Sequence, residues 1–343
     1  MRRRDISFCL TSIGYDGEGL DNITGLPKPK LRAETGDIVV TAEKCLTAGT
    51  AKLDILQKTG LTTPLGDVVV TRVKKPGLVV TAGPNKSSQV RSLTEILRRI
   101  GPGAILFDGA LNRIAPMVET DGFVLATGAA RTPDISRLAR ETEWIWGICN
   151  ILVVPRAAEL ARRNLDRVTL LTPELEKIQD WPLSSLLSVR DTAGLFLKSA
   201  PEDSYLYIPG IVSMAALRLM SEIFRRNARR VVLAFADPVK LLVSGEIGLL
   251  NQLLEDLDRA GALVGVLKRV PLMAVTINPF YPEYRTESMS YQPATVDFIR
   301  LQVAIQKNIR VPVYNVCRQG AKELVDSILT YARPWESPDV MCF

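Results

Sequence analysis

Histidine is absent from all 343 residues. That one absence removes a Ser-His-Asp triad, a Cys-His pair, a histidine acid/base and histidine-ligated metal from the chain's own chemistry. Carboxylates, lysine, arginine and backbone dipoles must carry whatever chemistry remains. Cysteine is sparse as well: Cys9, Cys45, Cys149, Cys317 and Cys342 are odd in number, widely spaced and never arranged as CxxC. They suggest neither a disulfide frame nor a zinc site, and read as reduced, mostly core residues. No apolar run approaches the length of a bilayer, and Met1 leads directly into Arg2, Arg3, Arg4 and Asp5 without the apolar stretch of a signal peptide. The expectation is a soluble, cytoplasmic protein with no membrane partner. Internal repeats and low-complexity linkers are missing too.

What is present is core-forming material. Hydrophobic residues make up 47% of the chain, enough for one large α/β domain or two smaller ones. A formal charge of +6 and a pI near 9.1 suit an anionic ligand such as a nucleotide. The basic residues, however, come in local clusters. Arg225, Arg226, Arg229 and Arg230 flank the end of a helical pattern, where cations complement the dipole, and this argues against a nucleic-acid partner.

The stretch around which the chain reads as organised is Gly103 to Arg113, GAILFDGALNR. Ala104, Ile105, Leu106 and Phe107 form a short apolar run bounded by Pro102 and Gly109, the pattern of a strand covered on both faces. Asp108 is thereby delivered to the strand's carboxyl end, the edge at which open α/β sheets bind ligands. There it either positions a metal ion beside phosphates or caps the next turn, since Asp-Gly is a common turn dipeptide. Strand-like Ile6 to Ile13 runs into Gly14-Tyr15-Asp16-Gly17-Glu18-Gly19-Leu20-Asp21. Its carboxylates either bind Mg²⁺ through oxygen and water or form a solvated turn, and the spacing is not that of an EF-hand.

Pro27-Lys28-Pro29-Lys30 holds two lysines on a stiff extended segment, where Lys28 can meet a phosphate or carboxylate. Gly83-Pro84-Asn85-Lys86-Ser87-Ser88 precedes a helix over about residues 88–100, but it lacks the glycine that a Walker A loop needs before its lysine. Only a weaker helix-terminal anion site survives there. Further on, the strand from Phe123 ends in Thr127-Gly128-Ala129-Ala130, and the strand from Met273 ends in Asn278-Pro279-Phe280. Small, acidic or polar turns at successive strand ends are what a shared ligand edge requires. A helix is expected over residues 42–59 with Gly60 as its C-cap, a hairpin turn at residues 74–77, and a small inserted subdomain between strands at 168–171 and 205–208. Strand-helix alternation predicts a layered, mainly parallel α/β sheet with halves at 1–150 and 151–343. The second half would pack on the same sheet or as a close second domain.

In their order along the chain, SIGYDGEGLDN, PKPK, TTPLG, FDGALNR, ATGAA and TINPF resemble the small-subunit family associated with reactivating adenosylcobalamin-dependent lysine aminomutases. The resemblance covers most of the chain. More distantly it is similar to the P-loop group of dethiobiotin synthetase and cobyric-acid-type enzymes. It implies an accessory role with an aminomutase and a partner ATPase, and a site for ATP and Mg²⁺. Asp16, Glu18 and Asp108 would hold the metal, with Asp108 as the catalytic acidic strand end. Lys28 would lie on the phosphate side, Thr127 and Gly128 on the cofactor edge, and Asn278 and Pro279 towards the base. Relatives begin with a strand, a GKT-type loop and a helix, whereas this chain begins at SIGYDGE. The implied fold is therefore a P-loop NTPase fold without its first strand-loop-helix unit, open beside the Ile6 to Ile13 strand and either truncated or deprived of nucleotide binding. Nucleotide hydrolysis by this chain alone is not expected. An ATP-dependent carboxylate-activating enzyme and a non-catalytic α/β interaction module remain the competing readings.

Overall fold

The computed structural model describes residues 6–17, 19, 28, 30–109, 114–193, 201–227, 230–287 and 289–331. The chain divides into two compact units, Met1–Asp121 with Tyr284–Gln292 and Leu329–Phe343, and Gly122–Glu283 with Pro293–Ile328.

In the first unit, β1 (Phe8–Ser12) is followed by β2 (Tyr15–Asp16), β3 (Leu31–Ala33) and β4 (Ile38–Ala42). Then come β5 (Lys52–Thr63), β6 (Gly66–Lys75), β7 (Gly77–Val79), β8 (Thr81–Ala82), α1 (Ser87–Ile100) and β9 (Ala104–Asp108). The main sheet has the order β5-β6-β4-β1-β9, with β4, β1 and β9 parallel and β6 and β5 added antiparallel. Strand alternation distributes β4 between two cores. Ile38 and Val40 meet Leu93 and Leu97 of α1, while Val39 packs with Ala33, Val73 and Val79 on the other face.

This arrangement changes three expectations. Residues 42–59 are not a helix: a short 3-10 turn at Glu43–Cys45 leads to the edge strand β5. Leu53, Ile55 and Leu56 satisfy a helical spacing, but the antiparallel pairing of this twelve-residue strand with β6 overrides it. Gly60 sits inside that strand, within a register shift between Lys58 and Thr62. Residues 74–77 are not a hairpin turn, because β6 continues through Lys75 and the chain changes partner across Pro76, so that β7 pairs with β3. The strand edge expected to stand open beside β1 is filled, since β1 pairs with β4 on one side and β9 on the other.

In the second unit, β10 (Phe123–Gly128) leads to α2 (Ile135–Cys149) and α3 (Ala157–Arg162). β11 (Thr169–Leu171), β12 (Lys177–Asp180), α4 (Val189–Ala193), β13 (Ser204–Ile208), α5 (Met214–Asn227) and β14 (Val231–Phe235) follow. Next are α6 (Val239–Leu242), α7 (Ile247–Arg259), β15 (Ala262–Val266) and β16 (Leu272–Asn278). The chain then runs through β17 (Phe280–Arg285) and β18 (Ser290–Thr295), each divided between the two units, α8 (Phe298–Gln306), β19 (Val313–Tyr314), α9 (Val316–Gln319) and α10 (Lys322–Tyr331), whose last three residues fall in the first unit.

One sheet runs β12-β11-β13-β14-β15, with β13, β14 and β15 parallel; another runs β10-β16-β19, all parallel. The region expected to be an inserted subdomain instead supplies β12, the antiparallel edge of the first of these sheets. Leu206, Leu233 and Phe235 pack against Leu217, Phe224, Leu253 and Leu257 of α5 and α7. Val275, Ile277 and Val313 pack against Leu138, Leu301 and Ile305 of α2 and α8. The protein is thus α/β, built from parallel strand cores edged by antiparallel strands. Among the described residues, no helix is long and apolar enough to cross a membrane.

The described cysteines behave as core residues with one exception. Cys9, Cys45 and Cys149 are buried and Cys317 is exposed, while Cys342 lies outside the described residues. Burial pushes the thiols of Cys9 and Cys149 up to about 12, which keeps them protonated and unreactive.

Candidate functional site

The carboxyl ends of β1 and β9 meet in register, Ser12 opposite Asp108, and the Ile13 N–H donates to the Asp108 carbonyl at 2.8 Å. Past β1 the chain bends through Gly14 into β2, where Asp16 pairs opposite Thr81 of β8. The bend is fixed from inside: Ser12 Oγ donates to the Gly14 carbonyl at 2.6 Å, and the Gly83 N–H donates to the same carbonyl at 3.1 Å. A Cβ on Gly83 would lie 2.1 Å from the Ser12 carbonyl oxygen and 2.7 Å from Thr11 Oγ1, so this crossing admits only glycine.

These contacts bring Asp16 and Asp108 together. The Asp108 carboxyl is pushed up to about 6 by partial desolvation first, then by its hydrogen bond with the Asp16 side chain and by the Asp16 charge, against an opposing backbone hydrogen bond from Gly109. Two like charges at this separation cannot both ionise freely, so the neutral form of Asp108 is favoured. Thr11 Oγ1 and Thr81 Oγ1 are buried on the same strand segments without a hydrogen-bond partner among the described residues.

This donor set fits a hard divalent cation. Mg²⁺ takes one or two carboxylates and keeps several waters, and a cation would offset the repulsion between the two carboxylates. Among the described residues, no group of three or more His, Cys, Asp and Glu side chains gathers into a metal cage, so water would have to complete the coordination. Glu18, the third expected metal ligand, lies outside the described residues, as do residues 110–113 after Gly109. Lys28 is half-buried in the first unit, and its backbone N–H donates to the Gly19 carbonyl at 3.1 Å.

The other expected site residues belong to the second unit. There Thr127 pairs with Ile277 and Gly128 with Asn278, as β10 and β16 end together. The Ala129 N–H donates to the Asn278 carbonyl at 2.8 Å, and the Phe280 N–H donates to Asn278 Oδ1 at 3.0 Å. The Pro279 carbonyl accepts the Val296 N–H at 3.0 Å. The structure thus brings Asp16 to Asp108, and Thr127 and Gly128 to Asn278 and Pro279.

Sequence reasoning missed one charged cluster. Arg131 Nε and Arg137 Nε donate to the two oxygens of buried Glu141, at 3.0 and 2.9 Å. The spacing of Arg137 and Glu141 on α2 was the available signal. In three comparisons, the chain matches no protein-family model, no curated protein and no solved structure.

Proposed function

We propose that this chain is an accessory protein for an adenosylcobalamin-dependent aminomutase, acting with a partner ATPase and holding a divalent cation between Asp16 and Asp108. The observation that carries the reading is the meeting of these two carboxylates at the carboxyl edge of parallel strands β1 and β9. Such an edge is where α/β sheets take their ligands. A cation there would neutralise the pair and present open coordination positions to phosphate oxygens. The ordered motifs from SIGYDGEGLDN to TINPF support the aminomutase as target. With the partner ATPase supplying nucleotide turnover, this chain's own residues bind the cation and orient it.

The test uses the full chain with a lysine or ornithine aminomutase inactivated by turnover. Association in a pull-down is expected, with recovery of aminomutase activity when the partner ATPase, Mg²⁺ and ATP are present. Asp108→Asn should keep the association and lose most of the recovery. Absence of both association and recovery would remove the aminomutase reading. Turnover of ATP by this chain alone on a carboxylic acid substrate would replace it with the carboxylate-activating one.

A further inference from the structure

The one charged cluster that the cation pair leaves unused is centred on Glu141 of α2, a carboxylate in a residue only 5% exposed. Its two oxygens accept separately, Oε2 from Arg131 Nε at 3.0 Å and Oε1 from Arg137 Nε at 2.9 Å. Arg137 stands one helical turn before Glu141 on the same face, while Arg131 is brought in by the turn before the helix, where its N–H donates to the Gly128 carbonyl at 2.9 Å. A buried carboxylate is costly without a cation beside it. One guanidinium is enough to neutralise Glu141, and the second is in excess.

Both arginines keep their outer ends in water, with side chains 58% and 57% exposed. Each spends its Nε on Glu141, and none of their Nη groups has a hydrogen-bond partner among the described residues. The neighbouring carboxylates are engaged elsewhere. Asp134 Oδ1 accepts from the Ser136 and Arg137 N–H groups as the cap of α2. Glu246 accepts from the Gly248 and Leu249 N–H groups at 2.9 and 2.7 Å, and these two bonds, ahead of the charges of Arg137 and Arg131, hold its carboxyl below the usual carboxylate range. The charge of Glu246 is thus taken up by the first turn of α7. Two planar forks remain, anchored on one buried carboxylate and open to solvent.

We propose that Arg131 and Arg137, held by Glu141, form a binding site for a phosphate dianion, free in solution or carried on a small ester. Guanidinium forks match pairs of phosphate oxygens, and two forks offer more donors than the two oxygens of a single carboxylate can engage. The anion supplies the negative charge that the cluster lacks. It needs no opening of the structure, because both forks are already exposed. Glu141 does not touch the anion and acts as a positioning residue, fixing where the two guanidiniums lie. All three residues belong to the second unit and lie outside every motif that carries the family resemblance, so the site stands or falls apart from the cation pair and the aminomutase reading.

The test titrates inorganic phosphate, glycerol phosphate and acetate separately into the full chain at pH 7.5, without divalent cations, and reads binding by calorimetry. One phosphate per chain is expected. Tighter binding of glycerol phosphate assigns an ester, and binding of inorganic phosphate at least as tight assigns the free ion; either supports the site. Arg131→Lys, which keeps the charge but loses the fork, should weaken binding about tenfold. Glu141→Gln makes the cluster more positive, yet it should weaken binding by a similar factor, because neither guanidinium is then held; attraction by charge alone predicts the opposite. Arg140→Gln, an exposed arginine on the same helix, should leave binding unchanged. No saturable binding of either phosphate at millimolar concentration, acetate bound as tightly as phosphate, or binding that Arg131→Lys leaves intact overturns the proposal. So does tighter binding in Glu141→Gln, or an equal loss in Arg140→Gln, each the mark of a diffuse basic surface. Circular dichroism checks that each variant is folded, and should Glu141→Gln fail to fold, Arg131→Lys against Arg140→Gln decides.

Discussion

Asp108→Asn should raise the Tm of the cation-free protein at pH 7.5 while abolishing the further rise that Mg²⁺ gives the wild type. The Asp108 carboxyl lies near 6 rather than at its ordinary 3.8, so the folded state holds its proton more tightly than the unfolded state. For an acid shifted upward, the stabilising contribution is fully present below about 3.8 and is lost as pH rises through about 6. At pH 7.5 the folded protein therefore carries an unfavourable charge next to Asp16. A two-unit shift would correspond to about 3 kcal/mol. The residue is exposed, and solvent screening reduces this to about 1 kcal/mol. Asparagine removes the charge, and a gain of that size moves Tm by roughly 2–4 °C in a domain of this scale. Mg²⁺ at ten times its Kd should stabilise the wild type by about 1.4 kcal/mol and the variant not at all. Thermal melts from pH 4 to 8, with and without Mg²⁺, check each part. A wild type whose cation-free Tm is flat across that range would sink the coupling of the two carboxylates.

Gly128→Ala should be the most damaging single methyl in the second unit. The added Cβ would stand 2.1 Å from the Asn278 carbonyl oxygen and 2.8 Å from its nitrogen, both backbone atoms held in the β10–β16 pairing. β16 cannot retreat, since it is also paired to β19 on its other side, so relief would have to come from β10 giving up its pairing at the edge of the sheet. Overpacking against backbone puts the expected loss at about 3 kcal/mol or more, measured by urea unfolding followed through intrinsic tryptophan fluorescence. Gly147→Ala is the control. It sits in α2 with no heavy atom within 4 Å of an added Cβ, so it should leave the midpoint unchanged or slightly higher. A Gly128→Ala protein as stable as the wild type would mean that β10 and β16 do not pair in this register.

The strand carrying Asp108 was legible because its apolar run is short, continuous and bracketed by Pro102 and Gly109. The ends of β10 and β16 were legible as well, because their apolar runs close on small or polar turns. What periodicity does not carry is pairing. Asp16 reaches Asp108 only because Ser12 registers with Asp108 and Asp16 with Thr81, contacts separated in sequence by long stretches of chain. β5 was hidden because its apolar positions also satisfy a helix, and only β6 decides between the two.

The most direct measurement is Mn²⁺ binding to the full chain at pH 7.5, followed by the loss of the free-ion electron paramagnetic resonance signal and by calorimetry. One ion per chain is expected, displaced by Mg²⁺, with affinity lowered at least tenfold in both Asp16→Asn and Asp108→Asn and lowered in the wild type as pH falls below about 6. Failure of the wild type to bind Mn²⁺, or binding that both substitutions leave intact, would contradict the assignment of Asp16 and Asp108 as a cation site.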